Sequence, residues 1–349
     1  LDNLARREKA LPQAAILPPM RDVFLGSTGV RVSGLACGTM AFGGDADEAT
    51  SAAIFERARD AGINFFDCAD VYNGGRSEEI LGRLVAPTRD EVIISTKAYF
   101  PTGPGANARG SSRYHLARAV EASLRRLGTD RIDIFFLHRM DDETDLVESL
   151  REVERLVNAG KILYPAVSNF AAWQTAKALG IAAARGWAPV AAVQPMYNLV
   201  KRQAEVEILP MCASEGLGCF PYSPLGGGLL TGKYGTQRRP TAGRLVDSEM
   251  YATRYEARDN FEVADGFAAL AAAHGHDPVA LAIAWVAAHP AVTAPLLGAR
   301  TVAQLESALG AVKIDMTPEL RAEISALSRA PAPATDRNEE SSAHNYGRR

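Results

Sequence analysis

The sequence predicts an α/β fold, a (β/α)8 TIM barrel with an N-terminal β-hairpin and a long lid between strands seven and eight. Three observations lead there. Eight short β-rich runs recur along the 349 residues, each followed by a longer segment with helical spacing. Most of these runs lack strict alternation of polar and apolar residues, as expected of parallel strands buried on both faces. The series of strand–helix units is unbroken, so residues 20–330 read as one barrel.

Taken in chain order, residues 1–19 fall outside this unit. Their apolar run before Pro18-Pro19 is too short for a secretory signal, and Met20 suits a natural start. Residues 21–33 read as a small hairpin with a Ser-Thr-Gly turn. The strand runs follow at Leu35–Thr39, Ile63–Phe66, Val92–Thr96 and Ile132–Leu137, then at Ile162–Val167, Val190–Val193, Leu217–Phe220 and Val292–Leu297. Between them lie amphipathic helices. Asp45 with Glu48 is placed to cap the first, whose inner face carries Ile54, Ala58 and Ala61. Val120, Leu124 and Leu127 form one further stripe, and Leu146, Leu150, Val153 and Val157 another. Gly62, Gly128, Gly160 and Gly216 each follow a helix, where a left-handed cap is wanted. Pro165 removes a ladder donor, so the fifth strand is expected to be locally irregular or shifted. Residues 226–257 are too long for a plain connection and are placed as a lid over the barrel mouth. The polar tail 331–349 is expected to be mobile.

Composition excludes several classes. The 38 basic and 41 acidic side chains leave a net charge of −3, which argues against a nucleic-acid or anionic-membrane partner. No apolar run approaches the length of about 18 residues that a spanning helix needs. The four cysteines, Cys37, Cys68, Cys212 and Cys219, form no C-x-x-C pair and read as reduced, mostly buried thiols of a cytoplasmic protein. His274-Gly-His276 lacks supporting carboxylates, so no metal site is expected.

In such a barrel, chemistry sits at the C-terminal ends of the strands. There the second strand leads to Asp67, with Tyr72 further along its loop, the third to Lys97 and the fourth to His138. Singly, each has a plain structural reading: Asp67 as a helix cap, His138 as a hydrogen-bonded structural residue. Together they address one problem, namely how a tyrosine donates a proton near neutral pH. A phenol with a pKa of about 10 is a poor acid there, and a nearby ammonium stabilises the phenolate. Bringing it toward neutrality asks for about 3–4 kcal/mol of preferential stabilisation. Asp67 would hold Lys97 charged and oriented, and His138 would position the substrate oxygen or share the proton.

Ile63-Asn-Phe-Phe-Asp-Cys-Ala-Asp-Val-Tyr72, Ile94-Ser-Thr-Lys97 and Phe136-Leu-His138 resemble the signatures of the aldo-keto reductases. The likeness runs from Val23-Phe-Leu-Gly-Ser-Thr-Gly29 to Gln304-Leu305. It implies a barrel that binds an extended nicotinamide dinucleotide without a Rossmann domain, in keeping with the lack of a G-x-G-x-x-G opening a helix. The implied cofactor is NADP(H), with NAD(H) the other candidate.

By the same resemblance, Gly38, Thr39, Met40 and Asp67 belong to the cofactor groove, and Ser168, Asn169 and Gln194 hydrogen-bond the carboxamide. Ser168 and Asn169 also suit plain capping roles. Tyr222 would stack on the nicotinamide, while Ser223, Pro224, Leu225, Gly227 and Gly228 would bring backbone close to the pyrophosphate. Lys233 and Arg244 would neutralise it from the lid. Gly298, Arg300 and Gln304 follow the eighth strand, and a cation ahead of a helix N-terminus suggests an anion there, the adenosine 2′-phosphate of NADP. Ser307 and Ala308 stand where many relatives have an acidic residue and Asn, so the usual adenine contacts are expected to be missing.

The expected activity is NADP(H)-dependent reduction of an aldehyde or ketone to an alcohol, or the reverse, on a small-molecule substrate. Two other readings stay open: an NAD-dependent dehydrogenase of a sugar lactol or other alcohol, and a cofactor-sensing subunit resembling the β-subunits of potassium channels. Met40, Phe42, Tyr99, Phe100, Arg139, Tyr197 and Tyr251 are expected to form a partly aromatic substrate pocket.

Overall fold

The computed structural model describes residues 17–337 together with Glu339 and Ser342. The expectations for residues 1–16, and for most of 338–349, lie outside the described residues. β1 (Asp22–Phe24) and β2 (Arg31–Ser33) form the expected antiparallel hairpin, with Val23 opposite Val32. Eight further strands form one parallel sheet: β3 (Ala36–Gly38), β4 (Phe65–Asp67), β5 (Ile93–Ala98), β6 (Ile132–Leu137), β7 (Ile162–Ser168), β8 (Ala192–Gln194), β9 (Gly218–Cys219) and β10 (Leu296–Gly298). They are hydrogen-bonded in the order β10-β3-β4-β5-β6-β7-β8-β9, and the sheet curls toward a barrel. The N–H groups of Thr293 and Leu296 donate to the carbonyls of Cys219 and Pro221 at 2.8 and 2.9 Å, reaching from one end of the sheet to the other.

Helices alternate with these strands. α1 (Glu48–Asp60), α2 (Arg76–Val85), α3 (Arg113–Leu127), α4 (Leu146–Asn158), α5 (Ala172–Arg185) and α6 (Ile208–Glu215) follow β3 to β8 in turn. After β9 come α7 (Arg244–Asp247), α8 (Glu249–Tyr255), α9 (Arg258–Ala273) and α10 (Pro278–Ala287). α11 (Val302–Leu309) and α12 (Pro318–Ala326) follow β10. No single helix among the described residues is long and apolar enough to cross a membrane.

The pleat divides the strand residues between two cores. Cys37, Phe66, Ile94, Phe135, Val167 and Val193 face the helices, while Ala36, Phe65, Ile134, Phe136, Ala166 and Ala192 pack with one another inside the curled sheet. Both faces are therefore apolar, which is why the runs lack alternation in sequence. Leu25 and Val32 of the hairpin are fully buried and join the inner cluster from the N-terminal side of the strands. Gly26 makes this approach possible: its φ is +50°, and a side chain there would collide with the backbone of Gly216–Gly218.

Two local expectations are corrected. The cap of α1 is Asp47, whose carboxylate accepts the Thr50 N–H at 2.8 Å. Asp45 instead lies in a turn closed by Ala46 N–H to Ala41 O, so the helix starts two residues later than a cap there would allow. Strand β7 runs without interruption through Pro165, paired with Phe135. Pro165 turns its carbonyl toward Ala191, just before the paired run with β8 begins at Ala166, so its missing donor interrupts no ladder bond.

Residues 226–257 carry structure of their own, a 3-10 turn at Gly226–Thr231 followed by α7 and α8. Leu229, Tyr234, Tyr251 and Tyr255 pack with Phe261 and Ala264 of α9 in a separate small core, which ties this segment to the body. Asn198, beyond β8, fastens it at the strand ends by donating to Ser223 O at 2.9 Å and to Tyr255 Oη at 3.2 Å.

Near the starts of β5 and β6, Asp133 is 4% exposed, accepts the Ile94 N–H at 2.8 Å and pairs with Arg89 at 2.9 Å. Removing it leaves the Ile94 N–H without an acceptor and takes the carboxylate from the largely buried Arg89 guanidinium, which keeps only the neutral acceptors Thr129, Val92 O and Arg131 O. Asp133→Ala should lower the unfolding free energy by about 3 kcal/mol or more in urea titration. Arg83→Ala, at the exposed pair with Glu48, should change it by less than about 1 kcal/mol.

Candidate active site

The two-residue repeat that places Phe65, Ile93, Phe136, Ala166 and Ala192 in the interior continues to the strand ends. Asp67, Lys97, His138, Ser168 and Gln194 share that parity, so all five converge on the same interior space. None is more than 8% exposed.

Lys97 is the centre of the group. Its ammonium is fully buried and donates to Asp67 Oδ2 at 2.6 Å, to the Cys68 carbonyl at 2.6 Å and to Tyr72 Oη at 3.5 Å. The other carboxylate oxygen of Asp67 accepts from Ser95 Oγ at 2.6 Å and from Gln194 Nε2 at 2.9 Å. Burial pulls Lys97 down, but Asp67 and Tyr72 outweigh it and leave the ammonium above its usual range. Burial pushes the Tyr72 phenol up to about 12, and Lys97 pulls it back only part of the way. This corrects the expectation that the ammonium brings the phenol toward neutrality. Lys97 sits closer to Asp67 than to Tyr72, and the carboxylate opposes a second negative charge beside it.

His138 packs edge-on to Tyr72, ring centroids 6.2 Å apart, and to Phe100 at 4.8 Å. Burial first, and the charge of Lys97 second, hold the imidazole well below its usual range, so it is neutral near pH 7. Its Nδ1 is buried without a hydrogen-bond partner among the described residues. Its backbone carbonyl accepts from Asn169 Nδ2 at 2.9 Å, which also donates to Ser168 Oγ at 3.1 Å. Ser168 donates to the Gln194 carbonyl at 2.9 Å, and Tyr222 Oη donates to Asn169 Oδ1 at 2.8 Å. One chain of hydrogen bonds thus runs through Lys97, Asp67, Gln194, Ser168, Asn169 and Tyr222.

A second group lies in and beside residues 226–257. Gly226, Gly227 and Gly228 have φ of +59°, +67° and +99°, and the space where a Gly227 side chain would project is taken by Tyr251 and Leu245. Burial, and then the charge of Arg300, pull Lys233 below its usual value while Asp247 opposes them, so two cations share this region. Arg300 lies 3.5 Å from Asp45, and its N–H donates to Gln304 Oε1 at 2.9 Å. The Tyr234 hydroxyl beside Gly243 is buried without a partner among the described residues. Arg244 reaches the Tyr251 hydroxyl at 3.5 Å. Thr39, fully buried, bonds the Asp67 carbonyl and Ser77, with Gly38 before it and the exposed Met40 after it. Ser307 bonds Asp277, and Ala308 is buried.

Of the seven residues expected from sequence to line a substrate pocket, three are buried in cores and four are accessible. Tyr197 is fully buried against Trp285, Phe42 is fully buried in the outer core, and Tyr251 belongs to the lid core, whereas Met40, Tyr99, Phe100 and Arg139 are accessible. Hydrophobic side chains in loops do not announce from sequence which way they turn. Ser95 and Asn198 were not singled out from sequence; the parity of Ser95 with Lys97 is the signal that could have found the first.

The Aldo/keto reductase family profile matches residues 34–329, and the chain belongs to that family of oxidoreductases. It is 39% identical over 318 residues to Uncharacterized oxidoreductase YrpG of Bacillus subtilis, across 86% of this chain and 94% of that protein. It is 35% identical over 297 residues to Probable voltage-gated potassium channel subunit beta of Arabidopsis thaliana, covering 83% and 90% of the two chains. Versiconal hemiacetal acetate reductase of Aspergillus parasiticus is 31% identical over 321 residues, covering 84% and 93%.

A histidine held neutral in the folded state binds a proton more readily once unfolded. Stability is therefore full above about pH 6.5 and falls as pH drops below it. His138→Gln should remove part of that fall in urea titrations, and the ring NMR signals of His138 should not titrate between about pH 5.5 and 8.

Proposed function

We propose, on the premise that the chain is an aldo/keto reductase, that it reduces an aldehyde or ketone to an alcohol with NADP(H), or runs the reverse. The observation that carries this reading is the buried Lys97 ammonium joining Asp67 to the Tyr72 hydroxyl. The eight-stranded sheet is read with it as a closed (β/α)8 barrel.

The residues fit a dinucleotide. The left-handed glycines 226–228, the cations Lys233 and Arg300, and the unpartnered Tyr234 hydroxyl offer space, charge and a free donor to a pyrophosphate and a 2′-phosphate. Ser168, Asn169 and Tyr222 would hold the nicotinamide end. The Gln194 amide nitrogen is already engaged by Asp67, which leaves its oxygen for that task. Bound there, the cofactor supplies or takes up a hydride.

The remaining steps belong to the chain. Tyr72 stays protonated at neutral pH and releases its proton when an alkoxide oxygen forms beside it. Lys97 stabilises the phenolate left behind, and Asp67 keeps Lys97 charged in a fixed position. Neutral His138 orients the carbonyl oxygen without adding a competing charge. Phe100 and Tyr99, with ring centroids 5.3 Å apart beside His138, favour a substrate with an apolar or ring-bearing body. The likeness to channel β-subunits supports a second reading, a regulatory subunit that binds cofactor without turning over.

Tyr72→Phe should lower kcat for carbonyl reduction by about 100-fold or more while leaving the quenching of NADPH fluorescence intact. Arg300→Ala should raise KM for NADPH by about tenfold and leave KM for NADH nearly unchanged. Quenching by NADPH with no turnover across a broad carbonyl panel would favour the regulatory reading.

A further inference from the structure

Behind the active group lies a buried carboxyl that the proposed reaction does not use. Asp70 stands in the loop between Asp67 and Tyr72, and its N–H donates to the Lys97 carbonyl at 3.0 Å. It is 2% exposed, and neither of its carboxyl oxygens completes a hydrogen bond among the described residues. The outward parity of Thr96 sets its neighbours. Thr96 donates to Glu78 of α2 at 2.5 Å, and Arg126 of α3 donates to the other Glu78 oxygen at 2.7 Å. Glu78 is fully buried, so Asp70 faces a carboxylate already satisfied by its own partners.

We propose that Asp70 is a positioning residue for the Tyr72–Lys97 pair, its carboxyl remaining protonated while Tyr72 donates and opposing that donation once it ionises. The inference rests on the carbonyl-reductase reading given above. Two carboxylates and one guanidinium cannot all be charged in this dry space without an excess negative charge. Burial, and then Glu78, push Asp70 up to about 8, against the opposing pull of Arg126, the Val71 N–H and Lys97. The other groups around it are the buried thiol of Cys68, itself pushed up to about 12, and the Asp67–Lys97 pair. An ionised Asp70 places a second negative charge near Lys97. That charge holds the ammonium more firmly and makes the phenolate of Tyr72 harder to form, so Tyr72 becomes a weaker acid. Glu78 acts through Asp70, since its own oxygens are engaged by Thr96 and Arg126.

The test is the pH dependence of kcat for carbonyl reduction at saturating NADPH, between about pH 6 and 10. The unsubstituted chain should lose about fivefold in kcat through an ionisation near 8, the effect of one added charge on a partial proton transfer. Asp70→Asn, which mimics the neutral acid, should keep kcat level through that range. Glu78→Gln should move the fall to lower pH, because losing its charge and freeing Arg126 both favour ionised Asp70. A fall near pH 8 that survives in Asp70→Asn overturns the proposal, as does an unsubstituted chain with no fall there. Should Asp70→Asn not fold, an unmoved fall in Glu78→Gln overturns it equally. Failure of the unsubstituted chain to reduce any carbonyl would instead overturn the reading of the reaction.

Discussion

The structure around the strand ends depends on one fully buried ammonium. Lys97 has no exposure, and a lone charge in that position would cost several kcal/mol. Three acceptors offset that cost, and each comes from a different kind of constraint: the Asp67 carboxylate, the Cys68 carbonyl and the Tyr72 hydroxyl. Asp67 can serve because Ser95 and Gln194 hold its second oxygen. The Cys68 carbonyl can serve because the loop is pinned by backbone bonds from Cys68 to Ser95 and from Asp70 to Lys97. The position of Tyr72 follows from the same loop. Lys97 is thus both the charge that the proposed chemistry needs and the reason the loop carrying Tyr72 has one shape.

Charge is arranged in layers around this point. The innermost is the Lys97–Asp67 pair, and behind it on the helix side lie Asp70, Glu78 and Arg126. Around residues 226–257 lie Lys233 and Arg300, tempered by Asp247 and Asp45. A total of −3 across the chain says nothing of this, since an even mixture and a segregated one have the same sum. Segregation is what matters to a polyanionic ligand, because like charges gathered in one region raise the local potential without altering the net charge.

The order of strands and the strand-end places of Asp67, Lys97 and His138 were legible from the strand–helix rhythm, and Ser168 and Gln194 from the family resemblance. The two-residue parity that turns all five inward belongs to the folded strands, because runs that are apolar on both faces show no alternation. Phe42 and Tyr197 sit in loops and Tyr251 in the short helix α8, all outside the strands, where an aromatic ring turns toward whichever core lies nearest, and all three are buried. Asp45 and Asp47 are both adequate caps by residue type, and the turn closed by Ala46 decides between them. Pro165 reads as a defect in isolation and is harmless because the neighbouring strand begins one residue later. The acidity of Tyr72 was legible in its parts but not in its balance. The attraction of Lys97 is readable from residue types, whereas burial is a property of the assembled site.

Among the described residues, three of the four non-glycine residues with positive φ lie beside the candidate site, the fourth being Asp336 near the C-terminal end. Asn73, Asn169 and Ser223 have φ of +51°, +55° and +56°, a region that residues other than glycine seldom adopt. Each directly follows a residue of the site: Tyr72, Ser168 and Tyr222. Asn169 directly follows β7, whereas Asn73 and Ser223 lie in the loops beyond β4 and β9, and at each a left-handed residue turns the chain sharply within a short length. Asn73 and Asn169 recover part of the cost through their amides, which donate to the Met40 and Phe42 carbonyls and to the His138 carbonyl. Ser223 is steadied instead by Asn198, which donates to its carbonyl. Strain at these positions is tolerated because the paired strands beneath and the hydrogen bonds around them allow no relaxed alternative. The loops of the site are accordingly held at their roots.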